Sequence, residues 1–475
     1  MIEINDFPIA KKVFDFFCEI SKIPRGSGNT QGITDFLMDF AKKRNLEAIS
    51  DEYNNVIIKK SGTKGYENSP TVIIQGHTDL VAEKKPECPL DMTKDALKLY
   101  RDGDYLRAEG TSLGGDDGVA VAYALAILDS QDIPHPPIEA LFTSDEEIGL
   151  IGATGLDGNN LKGRILINVD SDMEGIFTVG CAGGIRIDAT LPIERVKCDK
   201  KCYALTIGGL LGGHSGMEID KGRANSIKII GEILSEIPDV QIITLDGGSA
   251  DNAIPRDAVA IFVANGDVES VVNSKLNALK EAWCDIEKDM IVTLSTKENE
   301  DAALTHESTS KVLSLIEKEP NGVISMSSDI EGLVETSLNM GIASTSNDSF
   351  SLCFSIRSSK NEEKERLKNR VAKIANELNA KISGHGDYPA WEYRKDSNLR
   401  DLMCSVYEKM YKKAPEVLVI HAGLECGIFA DKLEGLDCVS IGPDNFDIHT
   451  PEEHLSIPST ARVYEFILEV LKNIM

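Results

Sequence analysis

Three apolar runs of strand length, Val72–Gln75, Ile138–Thr143 and Ile165–Val169, show little polar alternation, and with Val56–Ile58 they crowd into the first third of the chain. A strand that is apolar on both faces is stable only inside a sheet covered on both sides, the usual condition of parallel α/β sheets. Segments of helical length and apolar spacing alternate with these runs, at Ile9–Ile23, Gly32–Lys43 and Gly118–Asp129. The alternation predicts an α/β layer architecture.

After about Gly184 the texture changes. Amphipathic helices near Ala224–Ile237 and Val268–Trp283 lie among strand-like Tyr203–Ile207 and Ala258–Ala264. A second set follows, with strand-like Met290–Ser295, a helix near Ser308–Lys318, strand-like Phe350–Ile356 and a long helix near Asn361–Leu378. This middle region reads as a separate α+β unit of two similar βαβ-type halves, without a residue-level repeat. From about Tyr388 the α/β character returns, with a helix near Leu399–Lys412, strand-like Val417–Ile420 and Cys438–Ile441, and a final helix Ala461–Ile474. The tail then completes the first sheet. The expected organisation is a discontinuous α/β/α sheet domain, residues 1–186 and 387–475, with an enlarged α+β domain inserted at 187–386 and Gly-rich junctions suited to a hinge.

A chain of 475 residues has room for two or three such domains. Fifty Lys+Arg against 77 Asp+Glu give a net charge of −27, which repels phosphate backbones and anionic lipid surfaces and argues against nucleic acid or a membrane as partner. The longest apolar run, Val119–Leu128, has half of the roughly 20 residues that a membrane span needs. The opening Met-Ile-Glu-Ile-Asn-Asp-Phe-Pro lacks the basic flank and apolar core of a secretory signal, so a cytoplasmic location is expected. There the ten cysteines are expected to be reduced and mostly buried. Cys198 and Cys202, in a Lys-rich stretch without a second Cys or His pair, read as surface thiols rather than metal ligands.

The chemistry-bearing residues follow the buried strands. Gln75-Gly76-His77-Thr78-Asp79 ends one of them, and side-chain alternation sends His77 and Asp79 to the same side, where a carboxylate can orient a ligating imidazole. A polar turn is the plain alternative. Gly114-Gly115-Asp116-Asp117-Gly118 opens a helix, where acids are stabilised by the dipole even without a metal, although a buried Asp can also bridge two cations. Ser144-Asp145-Glu146-Glu147-Ile148-Gly149 sets acids at a buried strand end. That is costly without a cation, unless the loop is simply solvated. Asn168-Val169-Asp170 ends another strand, and Gly442-Pro443-Asp444-Asn445-Phe446-Asp447-Ile448-His449-Thr450-Pro451-Glu452-Glu453 follows Cys438–Ile441.

All of these segments converge on one sheet edge, the edge where α/β sheets collect their sites. His77, Asp116, Glu147, Asp170 and His449 mix imidazole with carboxylate as a two-metal hydrolytic site does. Zinc suits that mixture, and manganese and cobalt also accept it.

In their order, Gly-His-Thr-Asp, Gly-Gly-Asp-Asp-Gly, Asp-Glu-Glu-Ile-Gly, Asn-Val-Asp and His-Thr-Pro-Glu-Glu, these motifs resemble the di-zinc aminoacylase and carboxypeptidase superfamily over essentially the whole chain. The resemblance is greatest to its aminoacyl-histidine, or Xaa-His, dipeptidase branch. It implies a two-domain peptidase holding two divalent ions per chain, with Asp116 bridging them, His77 and Asp170 on one, and Glu147 and His449 on the other. Asp79 would orient His77, Glu146 would be the general base, and the Asp116–Asp117 peptide would be cis. The inserted domain would be a lid, with His214 of Gly212-Gly213-His214-Ser215-Gly216 reaching the scissile carbonyl. Asn252, Arg357 and Gly423 match positions that hold the substrate's free carboxylate. His135, His306, His385, His421 and His454 match no ligand role and read as structural or exposed.

The expected activity is a metal-dependent dipeptidase for short peptides with a free C-terminal carboxylate, Xaa-His and broader dipeptides, through attack of a metal-bridging water activated by Glu146. An aminotripeptidase, a carboxypeptidase and an N-acyl amino acid deacylase could share these ligands, and a non-catalytic metal-binding protein could dispense with Glu146. The enlarged lid leaves a homodimer open.

Overall fold

The computed structural model describes residues 4–298 and 302–475. They form two compact units: the first runs to Cys181 and resumes at Tyr393–Val419 and Leu424–Met475, and the second comprises Ala182–Glu392 with Ile420–Gly423. The first crossing falls before 187 because the strand Gly183–Pro192 is hydrogen-bonded along its length to Ser349–Ser358 of the second unit. The return falls after 386 because Lys381–Tyr388 pairs with the other edge of Gly183–Pro192. Residues 420–423 join the second unit through the Ala182 amide, which meets the carbonyls of Ile420 and Ala422.

The described residues of the first unit build an eight-stranded sheet. Its centre is parallel, in the order Ile138–Thr143, Val72–His77, Ile165–Asn168 and Asp437–Ser440. The tail thus enters the sheet beside Ile165–Asn168. His77 pairs with Thr143, Gln75 with Asn168, and Asn168 with Ser440, so Val72–His77 and Ile138–Thr143 end together, two residues beyond the level at which Ile165–Asn168 and Asp437–Ser440 end. Glu47–Ser50 and Val56–Lys60 extend one side antiparallel, and Ile176–Cys181 and Glu416–Ile420 extend the other.

Every residue of Val72–His77 and Ile138–Thr143 is buried, the polar Gln75, His77 and Glu139 included. Helix Gly115–Asp129 is buried over nearly its whole length, and each fully buried Val, Leu or Ile in it contributes about 1.5–3 kcal/mol. It lies so close to the sheet that a Cβ on Gly76 would overlap Ala120 and the Asp117 carboxylate. Regular helix begins only after Asp117: Asp116 (φ −80°, ψ 107°) and Asp117 (φ −116°, ψ 36°) depart from it, and the peptide between them is cis.

The second unit carries a nine-stranded antiparallel sheet among its described residues. Cys202–Gly208, helix Ser226–Ser235, Gln241–Gly247, Ala258–Val263, helix Val268–Ala282 and Ile291–Thr296 form one βαββαβ set, in the spatial order fourth, first, third, second strand. Gly183–Pro192, helix His306–Lys318, Val334–Thr345, Ser349–Ser358, helix Asn361–Glu377 and Lys381–Tyr388 repeat that order. The two sets meet at Gly247 and Ala343. The sequence assigned the strand near Met290–Ser295 to the second half. It closes the first instead, pairing with Cys202–Gly208, while Gly183–Pro192 opens the second from upstream. Consecutive elements usually neighbour one another, and here that regularity misleads.

Among the described residues none of the ten cysteines is disulfide-bonded, and six are buried. Cys202 is among the buried ones, contrary to its reading as a surface thiol, because it starts a strand and packs beside Ile243, Val263 and Ala303. Among the described residues no helix is long and apolar enough to cross a membrane.

Candidate active site

The C-terminal ends of the parallel strands, within two residues of one another in register, place His77, Thr143, Asn168 and Ser440 along one edge of the first unit. The residues that follow each end turn over that edge, so His77 and Asp79, Glu146 and Glu147, Asp170 and the loop to His449 gather there. Two trios of ligand atoms lie within 4.8 Å of one another, His77–Asp116–Asp170 and Asp116–Glu147–His449, and both include Asp116. A third, His77–Glu146–Glu147, overlaps them.

Tautomers decide what this cluster can hold. His77 Nδ1 faces only acceptors on Asp79, the carbonyl oxygen at 3.1 Å and Oδ1 at 3.3 Å, so Nδ1 carries the proton of the neutral ring. Its Nε2 lone pair then points at Asp116 Oδ1, 2.9 Å away, and Asp170 Oδ1, 3.7 Å away. His449 Nε2 likewise meets Asp116 Oδ2 at 3.1 Å and Glu147 Oε1 at 2.9 Å. Glu147 Oε1 is buried, with His449 Nε2 as its close polar neighbour. Lone pairs converging at such distances call for positive charge between them. The imidazole and carboxylate donors, one Asp oxygen turned to each trio, suit two divalent cations. His449 has φ 62° and Asp145 φ 52°, sparsely populated backbone for such residues and common at active sites.

Electrostatics point the same way. Burial opposes protonation of His77, but Asp116 and Asp79 outweigh it and raise its pKa well above the usual value. Hydrogen bonds to Asp116 and Glu147 push His449 up to about 10. Burial, reinforced by neighbouring carboxylates, pushes Glu146 up to about 8 and Asp172 to about 7, and raises Asp170 well above the usual carboxylate range. Without a cation, protons neutralise the site. Asp79 behaves oppositely: burial disfavours its charge, but His77, the Ser27 hydroxyl and the Glu146 amide hold it down to about 2. It also accepts from the amides of Glu146 (3.1 Å) and Glu147 (3.3 Å), joining the loop of the acids to the strand end of His77.

Two supporting groups escaped the sequence reading. Arg25 is 1% exposed and donates to the carbonyls of Thr78 (2.8 Å), Asp79 (3.2 Å) and Gly114 (2.6 Å). Nothing in Pro24-Arg25-Gly26 distinguishes it from an ordinary loop arginine. Glu425, fully buried, accepts from Gln75 Nε2 (2.6 Å) and Thr143 Oγ1 (2.7 Å), and Gln75 accepts from Asn168 Nδ2 (2.6 Å), so three strand ends are tied beneath the acids. Sequence could have flagged Gln75, polar at the close of a buried strand.

The second unit holds the other candidates. His214 is half-buried, and its Nδ1 accepts from the amides of Gly216 (3.2 Å) and Met217 (3.0 Å), which leaves the proton on Nε2. Burial and the Arg357 guanidinium lower its pKa, so the ring is neutral. A Cβ on Gly216 would stand 3.0 Å from His214 Cε1 and 3.2 Å from Arg357 Nε, so glycine lets the two side chains approach. Arg357 is buried and donates to the Tyr388 hydroxyl at 3.0 Å, and that ring in turn lies against Gly423. Asn252 is exposed, and its carbonyl accepts from the Ser215 amide beside His214. Of the unmatched histidines, His421 is buried against Ser337 Oγ (2.7 Å) and His454 stacks on Phe446, so both have structural partners.

Residues 73–473 match the sequence profile of Peptidase family M20/M25/M40. Over 97% of its length the chain is 36% identical to the cytosol non-specific dipeptidase of Escherichia coli K12, covering 97% of that protein. Among solved structures it superposes on the aminoacylhistidine dipeptidase from Vibrio alginolyticus with a TM-score of 0.92, 34% identity and 98% of each chain covered. Aminopeptidase PepT from Bacillus cereus shares the fold at a TM-score of 0.59 and 16% identity, with 98% of each chain covered.

Proposed function

The chain belongs to Peptidase family M20/M25/M40 and is a metallopeptidase; on that premise we propose that it hydrolyses dipeptides bearing a free C-terminal carboxylate, Xaa-His among a broader range. The observation that carries this reading is Asp116, whose two oxygens face two separate His-and-carboxylate trios. Relatives at 36% and 34% identity are named a non-specific dipeptidase and an aminoacylhistidine dipeptidase, and the two names together support the broad dipeptide range. The first of those names also supports a cytoplasmic location.

His77 and Asp170 would hold one divalent ion, Glu147 and His449 the other, and Asp116 both. Zinc fits the donor set best, and manganese and cobalt also fit. Bound there, the ions supply Lewis acidity to water and to the peptide carbonyl. Asp79 keeps the proton of His77 on Nδ1 and so keeps Nε2 available. Glu146, held by its amide on Asp79, takes the proton of the attacking water and delivers it to the leaving amine. His214, neutral with hydrogen on Nε2, is the donor for the developing oxyanion. Arg357, with Asn252 and the Gly423 turn, holds the substrate carboxylate, for which a guanidinium offers two parallel donors.

A matched substrate set tests the reading: β-alanyl-histidine, alanyl-histidine, a plain dipeptide, a tripeptide and an N-acetyl amino acid, each with and without chelator. Chelator-sensitive cleavage confined to the dipeptides is the expected result. Cleavage of the tripeptide or the acetyl compound at equal rates contradicts it.

A further inference from the structure

Glu453, the last residue of His449-Thr450-Pro451-Glu452-Glu453, has no part in the chemistry above, yet it is 3% exposed and among the most heavily bonded carboxylates of the first unit. Its Oε2 accepts from the amides of Leu113 (2.7 Å) and Gly114 (2.8 Å). Its Oε1 accepts from Gly115 N (2.8 Å), Asp116 N (3.2 Å) and Asn445 Nδ2 (3.2 Å). A helix start leaves its first amides without intrahelical partners, and a carboxylate there is favoured by hydrogen bonding and by the dipole. Here the amides belong to the turn that aims Asp116, and the carboxylate stands four residues beyond His449. Arg25 completes the grip from the opposite polarity, on the carbonyls of Thr78, Asp79 and Gly114.

We propose that Glu453 is the positioning residue of the metal centre: by gathering the amides of Leu113–Asp116 it fixes the direction of the Asp116 carboxylate and sets the His449 loop in register with it. The proposal rests on the reading of Asp116 as the ligand common to two ions. Loosening Asp116 should therefore weaken both ions together, whereas removing His449 should weaken one. General fold damage would lower the melting temperature without that pattern.

The test is zinc affinity by chelator competition on the purified full chain, alongside thermal melts, for wild type, Glu453→Gln, Glu453→Asp, His449→Ala and Glu452→Gln. Glu453→Gln turns an amide donor against backbone N–H groups, and Glu453→Asp keeps the charge but cannot reach all the amides. Both should weaken the two ions in parallel by about 10- to 100-fold, the range for groups that orient ligands. Glu452→Gln, at an exposed residue paired with Lys85 Nζ at 2.6 Å, should bind as wild type does. If Glu453→Gln does not melt cooperatively, Glu453→Asp decides. Wild-type affinity in a folded Glu453 variant, or loss of one ion only, overturns the proposal. Wild type binding fewer than two ions would overturn the metal-centre reading itself.

Discussion

Nε2 of His449 stands 3.1 Å from Oδ2 of Asp116, although 333 residues separate the two in sequence. The contact joins the tail to the first third of the chain through the parallel strand Asp437–Ser440, and it occupies the Asp116 oxygen that His77 leaves free. Asp116 is thus the one side chain common to both candidate ion sites.

Asp116→Ala is therefore expected to abolish binding of both ions, and His449→Ala to abolish one. Metal analysis of the dialysed proteins checks this. The hydrolysis rate of either variant should fall by about 10³-fold, the scale of losing a preorganised electrostatic contributor. Retention of two ions by Asp116→Ala would contradict the bridging assignment.

Glu146→Gln should separate binding from chemistry. The side chain keeps its shape and loses its basicity, so metal content and KM should hold while kcat falls by about 10²- to 10⁴-fold. Near-normal turnover with metal bound would remove Glu146 from the mechanism.

Stability of the metal-free chain should depend on pH in a definite direction. Burial lets Glu146 keep its proton to about 8, and Glu425 and Asp172 to about 7, whereas an unfolded chain releases such protons near about 4. His449, bonded to Asp116 and Glu147, keeps its proton to about 10 against about 6.5 when unfolded. Above about pH 4 the native metal-free state therefore binds more protons than the unfolded state, and stability falls as pH rises. Zinc should flatten this slope and release protons on binding. Melts at pH 5.5 and 8, with and without zinc, and calorimetry in buffers of different ionisation enthalpy read both effects. A metal-free melting temperature that rises with pH over this range would contradict the account.

The second unit's groups should divide between rate and binding. His214→Ala is expected to lower kcat by about 10²- to 10³-fold with a small change in KM, as loss of an oxyanion donor does. Arg357→Met should chiefly raise KM, and the effect should disappear for a substrate whose carboxylate is amidated. Steady-state kinetics on the two substrates checks both.

How far the sequence revealed this molecule depended on where the signal lay. Val72–His77 and Ile138–Thr143 were legible because strands buried on both faces cannot hide their composition. The motifs carrying His77, Asp116, Glu147, Asp170 and His449 were legible because each follows such a strand or opens the buried helix. Strand Val334–Thr345 was not legible. It buries Glu335, Thr336, Ser337 and Asn339, and the partners lie far along the chain, His421 for Ser337 and the carbonyls of Asp251 and Ala253 for Asn339 Nδ2. Arg25 and Glu425 were invisible for the same reason, since their partners lie far along the chain and no local pattern marks a side chain that will be buried against them. The order of strands in the second unit escaped because an edge strand from upstream, Gly183–Pro192, opens the later half.

The central claim is that two ions on one shared carboxylate sustain dipeptide hydrolysis. Its most direct test is to strip the chain with chelator, add zinc stepwise, and follow hydrolysis of alanyl-histidine. The account expects no activity without metal and a rate that continues to climb until two equivalents per chain are bound. Full activity at one equivalent, or activity in the stripped protein, would contradict it.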